Sequence, residues 1–308
     1  MIWFLLLLFL VFAGFIGYMT FQCLKLVTDP VSHNYEELKA AEIKDGFQDC
    51  IEEYENEWSR EEFTLDRKDA IISGEIIRNP NADEGRTKVS IVCHGHTANR
   101  YACLKYADLF YKRGFHIVIF DERHFGRSDA PYSTLGQNEA KDLVEIIRLV
   151  RQTFGEDAYI ALHGESMGAA TALLVLQYEK VDIVVADCPF SDTEMLFKEW
   201  IANNLKNVPP MLLIPFIELY GKIRFRYNVK KTSPIEAVRN SDVPICFMHG
   251  DSDGLIHHHH SERMYEVSKN PLSELHLFKG ADHAMSIVSD RQGYEALLNA
   301  FLKKCDTL

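Results

Sequence analysis

Hydrophobic positions crowd the front of the chain and then fall into short, regularly spaced runs. Ile2 to Leu24 reads IWFLLLLFLVFAGFIGYMTFQCL, without one charged residue. As a helix this stretch is roughly 34 Å long, enough to cross a hydrocarbon core. From Phe63 the pattern changes. Ala70 to Ile77 (AIISGEII) alternates as a half-exposed strand does. VSIVCHG, HIVIFDE, AYIALHG, DIVVADC and PICFMHG are short β-branched runs that end in polar residues, and ELHLFKG alternates. Such runs suit a parallel sheet covered on both faces. Between them, apolar residues recur at helical spacing. Ala102, Tyr106, Leu109 and Phe110 make one stripe, and Leu143, Ile146, Ile147 and Val150 another. Gly114 and Gly155 follow as stop signals. The alternation predicts an α/β fold, a mostly parallel central sheet with helices on both faces. In open sheets of this class ligands bind beyond the carboxyl ends of the strands, so chemistry is sought where the runs turn polar.

Composition and charge narrow this picture. A cleaved signal peptide wants a basic start, and Met1 to Phe4 holds neither Lys nor Arg. A buried core helix is seldom apolar all round at the extreme terminus of a chain. The first stretch therefore reads as a single transmembrane helix over residues 1–24. Residues 25–62 read as a juxtamembrane segment with a short helix, and 63–308 as the main domain. The net charge of −12 argues against nucleic acid. Seven cysteines, an odd count partly inside strand-like runs, read as free thiols. With Lys25 flanking the span, they place the main domain on the cytoplasmic side. No Cys/His spacing indicates a metal, no motif indicates a cofactor, and the pattern carries no signal for an oligomeric state.

The strand AYIAL runs into His163-Gly164-Glu165-Ser166-Met167-Gly168, and the Ala- and Leu-rich AATALLVLQY follows. Strand, tight turn and helix are what a nucleophile elbow needs. The glycines leave room for a strained turn, and the helix N-terminus favours negative charge. A serine nucleophile needs a base, and the base an orienting carboxylate. PICFMHG is followed by Asp251 and Asp253, and ELHLFKG by Asp282 and His283. His283 is the expected base. Asp253 is the expected acid, with Asp187 and Asp251 as competitors. The backbone N–H groups of Met167 and His96 are the expected oxyanion donors. His94 and His276 read as structural. The run His257 to His260 reads as a mostly solvated helix start, because four successive helical residues cannot face one ion.

Together these residues resemble the α/β-hydrolase superfamily, most nearly its bacterial serine aminopeptidase-like branch. The resemblance spans about Phe63 to Phe301. It rests on His94-Gly95-His96-Thr97, on Asp121, Arg123, Gly126 and Ser128, on the Gly-x-Ser-x-Gly, on His249 to Asp253 and on Gly280 to His283. It implies an α/β-hydrolase fold with the triad Ser166, Asp253 and His283, and structural roles for Arg123 and Ser128. His96 stands where the family commonly has Phe or Tyr, which sets a titratable side chain beside the oxyanion site. Ile256 is followed by His257, where the family often has Pro.

About 55 residues separate DIVVADC from PICFMHG, more than an ordinary connection. They predict a helical cap insertion at about 191–240. Apolar Val208 to Gly221 is expected to line an acyl pocket. Lys222, Arg224, Arg226, Lys230 and Lys231 are expected to face an anionic leaflet, or else to form a solvated face of a packed cap. The expected activity is hydrolysis of a small-molecule or lipid-like ester by a membrane-anchored serine hydrolase. The same residues also serve a peptidase or amidase, and a non-catalytic binding protein is the alternative outside enzymes.

Overall fold

The computed structural model describes residues 1–82, 85–205 and 207–306. The chain opens with helix α1 (Ile2–Thr28), α2 (Tyr35–Lys44) and α3 (Gln48–Asn56). Strands β1 (Ser59–Arg67), β2 (Ala70–Arg78) and β3 (Lys88–Cys93) follow, then α4 (Leu104–Tyr111), β4 (His116–Phe120) and α5 (Glu139–Phe154). Next come β5 (Tyr159–Glu165), α6 (Met167–Leu174), β6 (Ile183–Asp187), α7 (Thr193–Asn204), α8 (Pro210–Phe225) and α9 (Pro234–Arg239). The chain closes with β7 (Ile245–Gly250), α10 (His259–Val267), β8 (Glu274–Phe278), α11 (Ser286–Ser289) and α12 (Arg291–Cys305).

The strands form one eight-stranded sheet in the order β1-β2-β4-β3-β5-β6-β7-β8. β1 and β2 pair antiparallel, β2 meets β4 antiparallel, and every later pairing is parallel. One face is covered by α3, α4 and α12, the other by α5, α6, α9 and α10. β5 is buried at all seven positions, as a strand covered on both faces must be. Gly114 and Gly155 take φ of 80° and 106° at the ends of α4 and α5, where a left-handed residue lets the chain leave the helix.

Two boundaries differ from the sequence expectation. α1 continues to Thr28 rather than ending at Leu24. Residues 35–62 form part of the main domain rather than a juxtamembrane spacer. Phe47, Cys50, Ile51 and Tyr54 follow the i, i+3, i+4, i+7 spacing of a buried helix face and sit in the core with Trp58. Acidic residues between them hid that spacing. β1 starts at Ser59, four residues before Phe63, and the last two positions of the expected 63–308 unit lie outside the described residues. In the insertion, α7 and α8 form the cap, while α9 turns Ile235 and Val238 into the core under the sheet.

Candidate active site

Ser166 stands between β5 and α6 with φ 55° and ψ −114°, a backbone conformation that L residues avoid. The neighbouring glycines allow it. A Cβ on Gly164 would lie 2.3 Å from the Gly168 carbonyl carbon, and one on Gly168 would lie 2.2 Å from the Cys93 carbonyl oxygen. Backbone meets backbone at both places, so neither clash can relax by a rotamer change. The Ser166 N–H donates to the Asp187 carbonyl at 2.8 Å, which clips the turn to β6.

The Ser166 hydroxyl donates to His283 Nε2 at 2.9 Å, and His283 Nδ1 donates to Asp253 Oδ2 at 2.7 Å. A carboxylate only accepts, so the proton of the neutral imidazole sits on Nδ1 and Nε2 is free to accept. Burial alone would lower the pKa of His283. The hydrogen bond and charge of Asp253 outweigh it, and the pKa is raised. Burial would raise that of Asp253, but hydrogen bonds from His249 and His283 hold it well below the usual carboxylate range. Asp253 is well supplied with donors. Its Oδ1 accepts from the Leu255 and Ile256 amides at 2.9 and 2.8 Å.

The competing acids stand elsewhere. Asp187 accepts from Ser286 at 3.0 Å and Tyr106 at 3.3 Å, and burial pushes its pKa up to about 6. Asp251 is exposed and accepts from the Gly280 amide at 2.6 Å.

One positioning group stands in the sequence only as part of a motif. His249 Nε2 lies 2.8 Å from the Ile256 carbonyl and 3.2 Å from Asp253 Oδ2. Both partners only accept, so Nε2 carries the proton, and Nδ1 accepts from Ser261 at 2.7 Å. His249 thus braces Asp253 from below. The His-Gly-x-x-Asp spacing put both residues at one strand end, but not the contact between them.

The loop after β3 brings His96 toward the serine. A Cβ on Gly95 would lie 3.6 Å from Ser166 Cβ. Met167 is the first residue of α6, where N–H groups lack an intrahelical carbonyl. The His96 ring is tied to α1, its Nε2 donating to the Val27 carbonyl at 3.0 Å. Burial lowers its pKa, so it stays neutral. His94 bridges the loop, donating from Nδ1 to its neighbour's carbonyl at 2.7 Å and accepting the Glu122 amide at 2.8 Å. Arg123 pairs with Asp142 at 2.7 Å, and the Ser128 hydroxyl donates to the Asp121 carbonyl at 2.6 Å.

A cavity of about 160 Å³ lies over Ser166. It is lined by Cys23, Leu26 and Val27 of α1, by Leu196, Phe197 and Trp200 of α7, and by His96, Leu135, Met167, Phe190, Leu255 and Ile256. The expectation that Val208 to Gly221 lines it is corrected. α8 turns Leu213, Ile214 and Ile217 against α1 and α7, one layer behind the wall. The five basic side chains that follow are exposed.

The histidine run also differs from expectation. His260 is fully buried and ties the cap to the body. Its Nδ1 accepts the Ser191 amide at 3.0 Å, and its Nε2 donates to Glu199 of α7 at 3.0 Å. His259 Nε2 is also 3.0 Å from Glu199. These three residues have donor atoms close enough for a metal ion. The Ser191 bond, however, leaves the His260 proton on the nitrogen that faces Glu199, which is a hydrogen bond rather than a metal ligand.

This architecture is that of the α/β hydrolases. The α/β-hydrolase-fold family matches residues 91–213, and the dienelactone hydrolase family matches 214–300. The uncharacterized protein YqkD of Bacillus subtilis is 33% identical over 218 residues, covering 69% of this chain and 70% of its own. The chain belongs to the α/β-hydrolase family. Human protein ABHD12B is 25% identical over 194 residues, 59% of this chain and 50% of its own. Among solved structures, an esterase of Pyrococcus furiosus superposes with TM-score 0.66 at 23% identity, covering 82% of this chain and 93% of that one. The acylaminoacyl peptidase of Pyrococcus horikoshii gives 0.61 at 18% identity, covering 80% of this chain and 41% of that one. At these identities the superpositions speak for the fold. The chain is a member of a hydrolase family with esterases and peptidases among its structural neighbours.

Proposed function

We propose that the protein is a membrane-anchored serine hydrolase that cleaves carboxylic esters, with Ser166 as nucleophile, His283 as base and Asp253 as acid. The observation that carries this reading is the Ser166–His283–Asp253 line, 2.9 and 2.7 Å long, beneath an apolar cavity. Ser166 Oγ attacks the ester carbonyl while His283 Nε2 takes its proton. The Met167 and His96 amides hold the oxyanion. The imidazolium, balanced by Asp253, gives its proton to the leaving alcohol. Water then repeats the sequence on the acyl-enzyme and releases the acid.

The cavity favours esters over peptides. An aminopeptidase needs an anionic group for the substrate ammonium, and among the described residues no carboxylate lines this cavity, Asp282 edging the separate hollow beside His283. A shared elbow and family leave the amidase reading as the second one. The anchor reading rests on α1, 27 residues long and apolar enough to cross a membrane. Exposed Lys222, Arg224, Arg226, Lys230 and Lys231 suit an anionic leaflet beside it. All seven cysteines are free, in keeping with a main domain on the cytoplasmic side.

The test is the full chain in detergent, assayed on p-nitrophenyl esters and on aminoacyl arylamides, with Ser166→Ala as control. Ester turnover that vanishes in the variant is expected. Arylamide turnover without ester turnover moves the assignment to a peptidase, and turnover that survives in Ser166→Ala ends the serine-hydrolase reading.

A further inference from the structure

α1 has two halves. The outer half stands clear of the domain, with Trp3 81% and Phe9 62% exposed. The inner half is built into the enzyme. Cys23, Leu24 and Val27 share one buried cluster with Phe197 of α7 and Ile217 of α8. The last turn is also tied through its backbone. The Val27 carbonyl accepts from His96 at 3.0 Å, and the Thr28 carbonyl accepts the Ser133 amide at 3.1 Å. His96 belongs to the loop beside Ser166. Cys23, Leu26 and Val27 form one wall of the cavity above that serine.

Depth along α1 says what reaches this cavity. About twenty apolar residues fill a hydrocarbon core, and Ile2 to Phe21 supply them. At the level of Gly17 to Phe21, α8 lies alongside and shows Phe216, Leu219 and Ile223 to the outside, 46%, 57% and 72% exposed. Water disfavours such a face, and the edge of a leaflet accepts it. From Phe21 to Leu26 is roughly 8 Å along the helix. Leu26 and Leu255, at 51% and 56% exposure, edge the cavity. The cavity therefore opens at headgroup level, just outside the hydrocarbon.

We infer that the last two turns of α1 are part of the acyl-binding site, and that the substrate is a long-chain acyl ester entering from the leaflet beside α1. The inference rests on the ester-hydrolase reading. A lipid whose far chain end stays in the leaflet, while the part next to the ester enters the cavity, presents its ester at the depth of Ser166 without leaving the membrane. A buried wall of Cys23 and Val27 then measures the part of the chain that enters.

The test uses the full chain in phosphatidylcholine vesicles. The readout is the ratio of kcat/KM for p-nitrophenyl laurate to that for p-nitrophenyl butyrate. A fluorophosphonate that labels Ser166 reports an intact nucleophile in every variant. Val27→Trp fills the cavity, and each methylene kept out costs roughly fourfold in binding. The ratio is expected to fall tenfold or more. Val27→Ala opens the same wall without added bulk, and its optimum is expected to move to longer chains. Leu8→Trp, on the free half of α1, is expected to keep the original ratio. Entry from the leaflet is read with a long-chain monoacylglycerol placed in the enzyme's own vesicles or in separate ones, and faster hydrolysis in the shared vesicles is expected. An unchanged ratio in both Val27 variants with labelling intact overturns the wall. Equal rates from shared and separate vesicles overturn leaflet entry. Both results leave the hydrolase reading standing. Failure of that reading shows separately, as an unlabelled Ser166 or as turnover that survives Ser166→Ala.

Discussion

Asp253→Asn isolates what the carboxylate contributes. Four N–H groups converge on Asp253: the Leu255 and Ile256 amides on Oδ1, and the His249 and His283 rings on Oδ2. An amide offers one oxygen and one NH2 for these four. If its oxygen stays with the Leu255 and Ile256 amides, its NH2 faces His283, which must turn Nδ1 into an acceptor. The ring proton then moves to Nε2, which can no longer take the proton of Ser166. A wrong tautomer of this kind costs about 10⁴ in kcat where it has been measured in a serine protease triad. If the amide is flipped instead, its NH2 meets two backbone N–H groups, and the buried mismatch costs about 1–3 kcal/mol of stability. The expected outcome is a fall of roughly 10³ to 10⁴ in kcat for p-nitrophenyl butyrate. KM changes little, because Asp253 does not line the cavity. Asp251→Asn, at an exposed site, is the comparison and is expected to stay within about threefold. Ester hydrolysis within tenfold of the original in Asp253→Asn refutes the assignment of the acid.

Other outcomes follow from the same contacts. The proposed base His283 can take a proton only when neutral, and its pKa is raised, so activity is expected to be lost as pH falls through that value. The acid limb of kcat/KM is expected to have its midpoint above about 6.5, the free-imidazole value, and a midpoint below that counts against the Asp253 pairing. Gly168→Ala drives a methyl to 2.2 Å from the Cys93 carbonyl oxygen, and urea unfolding is expected to show a loss of about 3 kcal/mol or more. Lys105 is buried between Glu42 at 3.0 Å and Glu165 at 3.1 Å. Lys105→Met strands two carboxylates and is expected to cost about 3–5 kcal/mol, read by thermal unfolding. His249→Phe removes the brace under Asp253 and is expected to lower kcat about tenfold or more while Ser166 labelling slows in step, within the range for one lost charge-assisted hydrogen bond.

The parts legible in the sequence are those whose cause is local. β5, the elbow and α6 follow one another along the chain, so period, glycine spacing and helix composition all lie within a dozen residues. The loops after β7 and β8 are also local, and they put Asp253 and His283 at neighbouring strand ends. Asp187 lies on the strand between Ser166 and those loops. Its position at a strand end made it a fair competitor. Only the fold shows its carboxylate taken by Ser286 and Tyr106. α3 was hidden for a different reason. Its buried spacing is present at Phe47, Cys50, Ile51 and Tyr54, but Asp49, Glu52 and Glu53 on the opposite face gave the segment a polar average.

The contacts that the pattern concealed are long in sequence and cross between elements that look independent. Apolarity alone makes Cys23 and Val27 equivalent to Leu8 or Phe9. Nothing in their spacing marks the turn at which α1 joins the domain. Val27 meets His96 across 69 residues, and Glu199 meets His260 across 61. In both pairs the local pattern assigns the histidine a local fate at its own strand or helix end, beside the oxyanion or in water. Each ring instead spends its proton on a carbonyl or carboxylate from the layer above the sheet. His96 holds α1 and His260 holds α7, the two helices that supply six of the thirteen residues lining the cavity. α7 and α1 are thus fastened to the body through His260, in the first turn of α10, and through His96, in the loop beside Ser166. A change in how α1 sits therefore acts on the serine's surroundings directly, rather than through the rest of the domain.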